Sequence, residues 1–157
     1  MDSEIHHVHV QRGINMIYTE KTKQALKLCF DAHKDQVDKS GMPYVFHPFH
    51  VAEQMTDEET TIVALLHDVV EDTDYTIDDL RGMGFGEAVI DALALMTHDS
   101  SVPYLEYVAR LKDNPIARAV KLADLRHNSD TTRLDHVDPA VFLRRLSACS
   151  ALLRYGA

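Results

Sequence analysis

Residues 64–72 read Ala64-Leu65-Leu66-His67-Asp68-Val69-Val70-Glu71-Asp72. At about 100° per residue along a helix, with His67 at zero, the polar groups cluster on one side. Glu71 falls near ~40°, Asp68 near ~100° and Asp72 near ~140°. Val63, Leu65, Leu66, Val69 and Val70 fill the arc from about 160° to about 320°. One face is therefore apolar, and the other holds an imidazole and three carboxylates. A solvated helix face usually mixes Lys or Arg among its acids for i,i+4 pairing. Three acids with no base repel one another unless a cation sits among them, which favours a metal site over a solvated face.

Working outward, the spacing predicts short helices punctuated by proline, glycine and Asp/Ser/Thr caps. The first spans about Thr19 to Asp38, with Ala25, Leu28, Cys29 and Ala32 on a 3.6-residue stripe. A short helix around Pro48 runs to about Met55, and Asp57 caps the next, from Glu58 to about Asp72. Another follows Thr76, and an apolar helix ends near Met96 after Gly82, Gly84 and Gly86. Pro103, Pro115 and Pro139 open helices reaching about Lys112, Asn128 and Leu153. Roughly eight helices with short connections and no convincing alternating strand predict an all-α domain. It should occupy residues 16–157, after an N-terminal arm over residues 1–15 in which His6, His7 and His9 alternate with Val8 and Val10.

At 157 residues the chain suits one domain and needs no disulfide to fold. Cys29 and Cys149 form no CxxC pair and read as reduced core thiols. The net charge of −9 argues against nucleic acid and anionic membranes as partners. The longest apolar run, Ile62 to Leu66, is far too short for a membrane span, and no signal peptide is visible, so a cytoplasmic protein is expected. The apolar content of the last helix is compatible with a homodimer. Ten histidines are an unusual number, and histidine is the commonest metal ligand.

Two further constellations bear on the His67 face. Lys121, Asp124 and Asn128, spaced i, i+3, i+7, share one helical stripe. By itself such a stripe is usually a polar face, but it offers one more carboxylate and two anion-binding groups. His47, just before Pro48, is either a structural cap or a ligand.

Together these pieces resemble the HD superfamily of metal-dependent phosphohydrolases, whose pattern is a His, an adjacent His-Asp pair and a distant Asp. Here those are His47, His67-Asp68 and Asp124. The chain is most similar to the hydrolase domain of the RelA/SpoT alarmone enzymes and their small stand-alone relatives. The matching words are Ala32-His33 with Gln36, Lys39-Ser40-Gly41, Pro43-Tyr44, His47-Pro48 with Val51-Ala52, residues 64–73, Phe85-Gly86, and Lys121-Leu122-Ala123-Asp124 with His127-Asn128.

The resemblance implies that His47, His67, Asp68 and Asp124 bind one divalent metal, usually manganese. Iron, cobalt, zinc and magnesium stay open, because a mixed N/O donor set tolerates several ions. It implies that Glu71 and Asp72 position or activate water, and that Lys39, Tyr44, Lys121, Asn128 and Thr131 line a nucleotide and phosphate pocket. The family removes pyrophosphate from the 3′ position of guanosine tetra- or pentaphosphate. With no synthetase region in the sequence, hydrolysis alone is expected.

The sequence also departs from the family. Asp38 stands where an arginine usually packs on the base, Asp130 where arginine is common, and Met42 where glutamate is usual. The segment between His47 and His67 is shorter than usual. The family's Asp-Arg-Leu-His-Asn word reads Asp124-Leu125-Arg126-His127-Asn128, with Arg and Leu exchanged. Aspartates near an anionic substrate should cost affinity. Hydrolysis of another nucleotide, and a non-catalytic nucleotide-binding module, are therefore the alternatives.

Overall fold

A computed structural model describes residues 16–154 of the chain. The expected N-terminal arm, residues 1–15, lies outside the described residues. Among those described there are nine α-helices, one 3-10 turn and no strand, the nearest to a strand being an isolated bridge between Val37 and Pro43. The helices are α1 (Glu20–His33), α2 (Phe46–Glu53), α3 (Glu58–Leu66), α4 (Val69–Asp72), α5 (Ile77–Gly82), α6 (Glu87–Met96), α7 (Tyr104–Arg110), α8 (Pro115–Asn128) and α9 (Pro139–Leu153). The 3-10 turn is Thr131–Arg133. The described residues form an all-α fold. No helix is long and apolar enough to cross a membrane.

Helix α3 is the axis of the core. Asp57 caps it by accepting the Thr60 N–H at 2.8 Å, and every residue from Thr60 to Leu66 is buried. An all-round apolar helix must be covered on all sides, and α1, α2, α6 and α8 do so. Helix α8 starts where Pro115 fits the first turn and Asn114 accepts the Ala117 N–H at 2.9 Å. Asp138 and Pro139 open α9 in the same way.

Helix α1 ends five residues before the expected Asp38. Lys34, Asp35 and Gln36 offer no apolar residue to continue its buried stripe. The chain turns instead: the Asp38 carboxylate accepts the N–H groups of Ser40 and Met42 at 2.8 and 3.0 Å. Gly41 takes φ 77°, a conformation glycine adopts without a Cβ penalty. The turn hands the chain to α2 and so delivers Tyr44 and His47 to the middle of the molecule.

Leu65 is fully buried on α3, whereas Leu143 on α9 is 62% exposed. Leu65→Ala should therefore lower the unfolding free energy by about 2–5 kcal/mol, and Leu143→Ala by less than about 0.5 kcal/mol. Urea denaturation measures both, and equal effects would contradict this packing.

Candidate metal centre

The single helix expected from Glu58 to Asp72 is two. Helix α3 stops at Leu66 and α4 begins at Val69, with His67 and Asp68 between them. The His67 imidazole Nδ1 lies 2.7 Å from the Ala64 carbonyl oxygen. That carbonyl is the acceptor an unbroken helix would give to the Asp68 N–H. Side-chain competition of this kind interrupts a helix. The break turns His67 and Asp68 toward α2 and α8.

The hydrogen bond also sets the chemistry of the ring. A carbonyl only accepts, so Nδ1 carries the hydrogen, and in the neutral ring Nε2 keeps its lone pair. Nε2 is buried and has no hydrogen-bond partner. It faces Asp68 Oδ2 at 3.1 Å and Asp124 Oδ1 at 3.7 Å. His47 Nε2 approaches the same two oxygens, at 3.7 Å from Asp68 and 3.0 Å from Asp124. Ligand atoms of His47, His67 and Asp124 all lie within 4.8 Å of one another. Two imidazole nitrogens and two carboxylates thus converge from α2, the α3–α4 break and α8. A lone pair facing carboxylates is repulsive unless a proton or a metal cation lies between them, and an N/O donor set with an orphaned imidazole nitrogen fits a divalent ion.

The electrostatics agree. Burial pulls the His67 pKa down, but Asp68 and Asp124 outweigh it and raise it well above the ordinary value. Burial pushes the Asp124 carboxyl up, but Lys121 and the two imidazoles hold it well below the usual range. Lys121 Nζ donates to Asp124 Oδ2 at 2.8 Å, and Asn128 Nδ2 donates to Oδ1 at 2.6 Å. The Tyr44 hydroxyl donates to Asp68 Oδ2 at 2.5 Å. Tyr44, Lys121 and Asn128, expected to line a substrate pocket, therefore hold the two carboxylates in this structure.

Glu71 and Asp72 sit on α4 at the exposed edge of the centre. Burial, then Asp68, raises the Glu71 pKa, and its Oε2 accepts the His98 N–H at 3.4 Å. The same two causes raise the pKa of Asp72. Lys39 and Thr131 are exposed, and no described hydrogen bond or ion pair joins either to the centre. Lys39 lines a separate cavity of about 280 Å³ with Leu134, His136, Phe142 and Arg145.

The departures from the family pattern have structural roles. Asp38 serves its own turn and lies 3.8 Å from Arg133. Asp130 caps the 3-10 turn, accepting the Thr132 N–H at 3.0 Å and its hydroxyl at 2.6 Å. Leu125 is buried while Arg126 is exposed, so the exchanged pair puts the apolar residue inward.

Sequence reasoning quoted His127 in the family resemblance but gave it no role in the site. Its Nδ1 lies 2.6 Å from Nδ1 of His47, so the two rings meet edge to edge, with centroids 4.8 Å apart and planes inclined by 28°. Burial, then His47 and Arg133, lower its pKa to about 4. The spacing Asp124-x-x-His127 put both residues on one helical face, which was the available signal.

Asp124 is buried, and among the described residues Lys121 is its one cationic side-chain partner apart from the two imidazoles. Removing one partner of such a pair typically costs about 3–5 kcal/mol. Lys121→Met should cost that much in the metal-free protein, measured by urea denaturation in chelator. An unchanged midpoint would contradict the pairing.

Comparison with known proteins places this geometry in a family. The HD domain family matches residues 25–127, more than half of the chain. A guanosine-3′,5′-bis(diphosphate) 3′-pyrophosphohydrolase of Aquifex aeolicus is 30% identical over 126 residues, covering 73% of this chain but 18% of that protein. The chain thus spans under a fifth of that relative's length. The enzyme of the same name from Danio rerio, MESH1, is 33% identical over 128 residues, covering 73% of this chain and 71% of that protein. A solved structure described as a metazoan ortholog of SpoT that hydrolyzes ppGpp superposes with a TM-score of 0.69 at 25% identity, over 89% of this chain and 87% of that one. All four groups of the centre fall inside the matched region or its helices, and the chain belongs to the HD-domain family.

Proposed function

We propose that this protein is a metal-dependent hydrolase that removes pyrophosphate from the 3′ position of guanosine 3′,5′-bis(diphosphate). The observation that carries the reading is the orphaned His67 Nε2, set among His47, Asp68 and Asp124. The Danio rerio relative and the metazoan ortholog of SpoT, each of similar size, support the substrate.

In this reading His47, His67, Asp68 and Asp124 hold one divalent cation, manganese being the ion we favour. Such a cation supplies a Lewis acid that acidifies water and offsets phosphoryl charge. Lys121 and Asn128 fix the Asp124 carboxylate, and Tyr44 fixes that of Asp68, so the donor atoms are placed before substrate arrives. Glu71 and Asp72, with raised pKa values and exposed carboxylates, take the proton of the attacking water. Water adds to the phosphorus bonded to the 3′ oxygen, that P–O bond breaks, and the 3′ oxygen leaves as a hydroxyl after gaining the proton that the water gave to the carboxylates. The products are guanosine 5′-diphosphate and pyrophosphate. Lys39 and Thr131, both exposed, would contact the phosphates and ribose of the nucleotide in this reading. The Asp38 and Asp130 carboxylates keep their charge while accepting hydrogen bonds in their own turns, and Arg133, 3.8 Å from Asp38, offsets part of it. The working unit is the single domain over residues 16–157, and its compartment the cytoplasm.

A nucleotide panel with Mn²⁺, read for phosphate and pyrophosphate separately, tests the reading. Pyrophosphate should be released fastest from guanosine tetraphosphate, and chelation should abolish turnover. Asp72→Asn should lower kcat by about 10²–10⁴-fold. Faster phosphate release from another nucleotide would contradict the substrate, and full activity in chelator would contradict the centre.

A further inference from the structure

A side chain outside the four proposed ligands governs how one of them can act. His47 meets the centre through Nε2, 3.0 Å from Asp124 Oδ1 and 3.7 Å from Asp68 Oδ2. A nitrogen that binds a cation needs its lone pair, so a neutral His47 must carry its hydrogen on Nδ1. That hydrogen requires an acceptor. The hydrogen-bond partner within reach is Nδ1 of His127, at 2.6 Å. Among the described residues no carboxylate or carbonyl takes this place, as the Ala64 carbonyl does for His67.

We propose that His127 is a positioning residue whose unprotonated Nδ1 accepts the His47 Nδ1–H and thereby turns the His47 Nε2 lone pair toward the cation. The proposal rests on the reading of the centre as a cation site. Its consequence is a fixed tautomer in both rings: His47 protonated on Nδ1, His127 on Nε2. Groups that orient a ligating imidazole through its second nitrogen typically contribute about 10–100-fold in metal affinity.

The backbone around His127 is built to hold the ring still. The His127 carbonyl accepts from Arg133 Nε and Nη2 at 3.1 and 3.0 Å. Arg133 Nη1 in turn faces Asp38 Oδ2 at 3.8 Å. The His50 ring, also from α2, lies 4.3 Å from that of His127. Asp38, which replaces a family arginine, thus belongs to a chain of contacts running from its turn through Arg133 and the His127 backbone, while the His127 ring serves His47. A ring packed against His50 with a clamped backbone is an acceptor of fixed direction.

The test uses the full chain and Mn²⁺ as probe. His127→Phe keeps an aromatic ring to pack against His50 but removes the acceptor. It should bind Mn²⁺ about 10–100-fold more weakly, measured by calorimetry, with its helical circular dichroism retained. His127→Asn puts a carbonyl oxygen near the Nδ1 position and should keep most of the affinity. Unaltered affinity in His127→Phe, or equal losses in both variants, would overturn the proposal. If His127→Phe does not fold, nitrogen NMR of the unaltered protein loaded with diamagnetic Zn²⁺ decides. His127 Nδ1 should resonate as an unprotonated nitrogen and Nε2 as a protonated one, and the reverse pattern would overturn the assignment. An unaltered chain that binds neither ion overturns the metal reading itself, an outcome distinct from an ion bound with His127 in the other tautomer.

Discussion

The hydrogen bond from His67 Nδ1 to the Ala64 carbonyl is the interaction on which the centre depends. It withholds from Asp68 the helical acceptor it would otherwise use, splits α3 from α4 and fixes the His67 tautomer. One side-chain contact thus sets both the backbone path and the state of the metal-facing nitrogen. The core makes that contact durable. Thr60 to Leu66 are buried on every side, so the Ala64 carbonyl has no water to turn to. Burial elsewhere makes an unpartnered imidazole nitrogen costly. Here it leaves His67 Nε2 for a cation.

Around that point, charge is arranged in layers. Asp68 and Asp124 face the two imidazoles, and each carboxylate is held from outside, by Tyr44 or by Lys121 and Asn128. Glu71 and Asp72 stand farther out with raised pKa values. The chain's net charge of −9 is therefore a poor guide to its ligand. Several of the acids belong to this one centre, and a divalent cation would invert their local sign. The anionic substrate we propose would meet the cation, not the average surface.

Much of this was visible in the residues. The apolar arc of Val63 to Val70, the prolines at 115 and 139, and the Lys121/Asp124/Asn128 stripe follow from helical periodicity and cap chemistry, and the helices formed there. The break at His67 was not visible, because the 3.6-residue pattern runs through it unbroken. A single side-chain hydrogen bond ends the helix, and periodicity does not register such bonds. The end of α1 was missed for a related reason, since the Asp38 turn is a local side-chain device. The orientations of Asp38, Asp130 and Arg133 depend on turn geometry that residue identity alone does not specify. His127 was hidden by its resemblance to an ordinary polar residue on α8, although its spacing from Asp124 pointed inward.

The central claim is that two imidazoles, His47 and His67, join Asp68 and Asp124 around one cation. Pulsed electron paramagnetic resonance of Mn²⁺ added to the metal-free chain tests it most directly. The account predicts one ion per chain, with two histidine nitrogens coupled to it and one of these couplings lost in His67→Ala. Saturable binding with no nitrogen coupling, or coupling unchanged in His67→Ala, would contradict it.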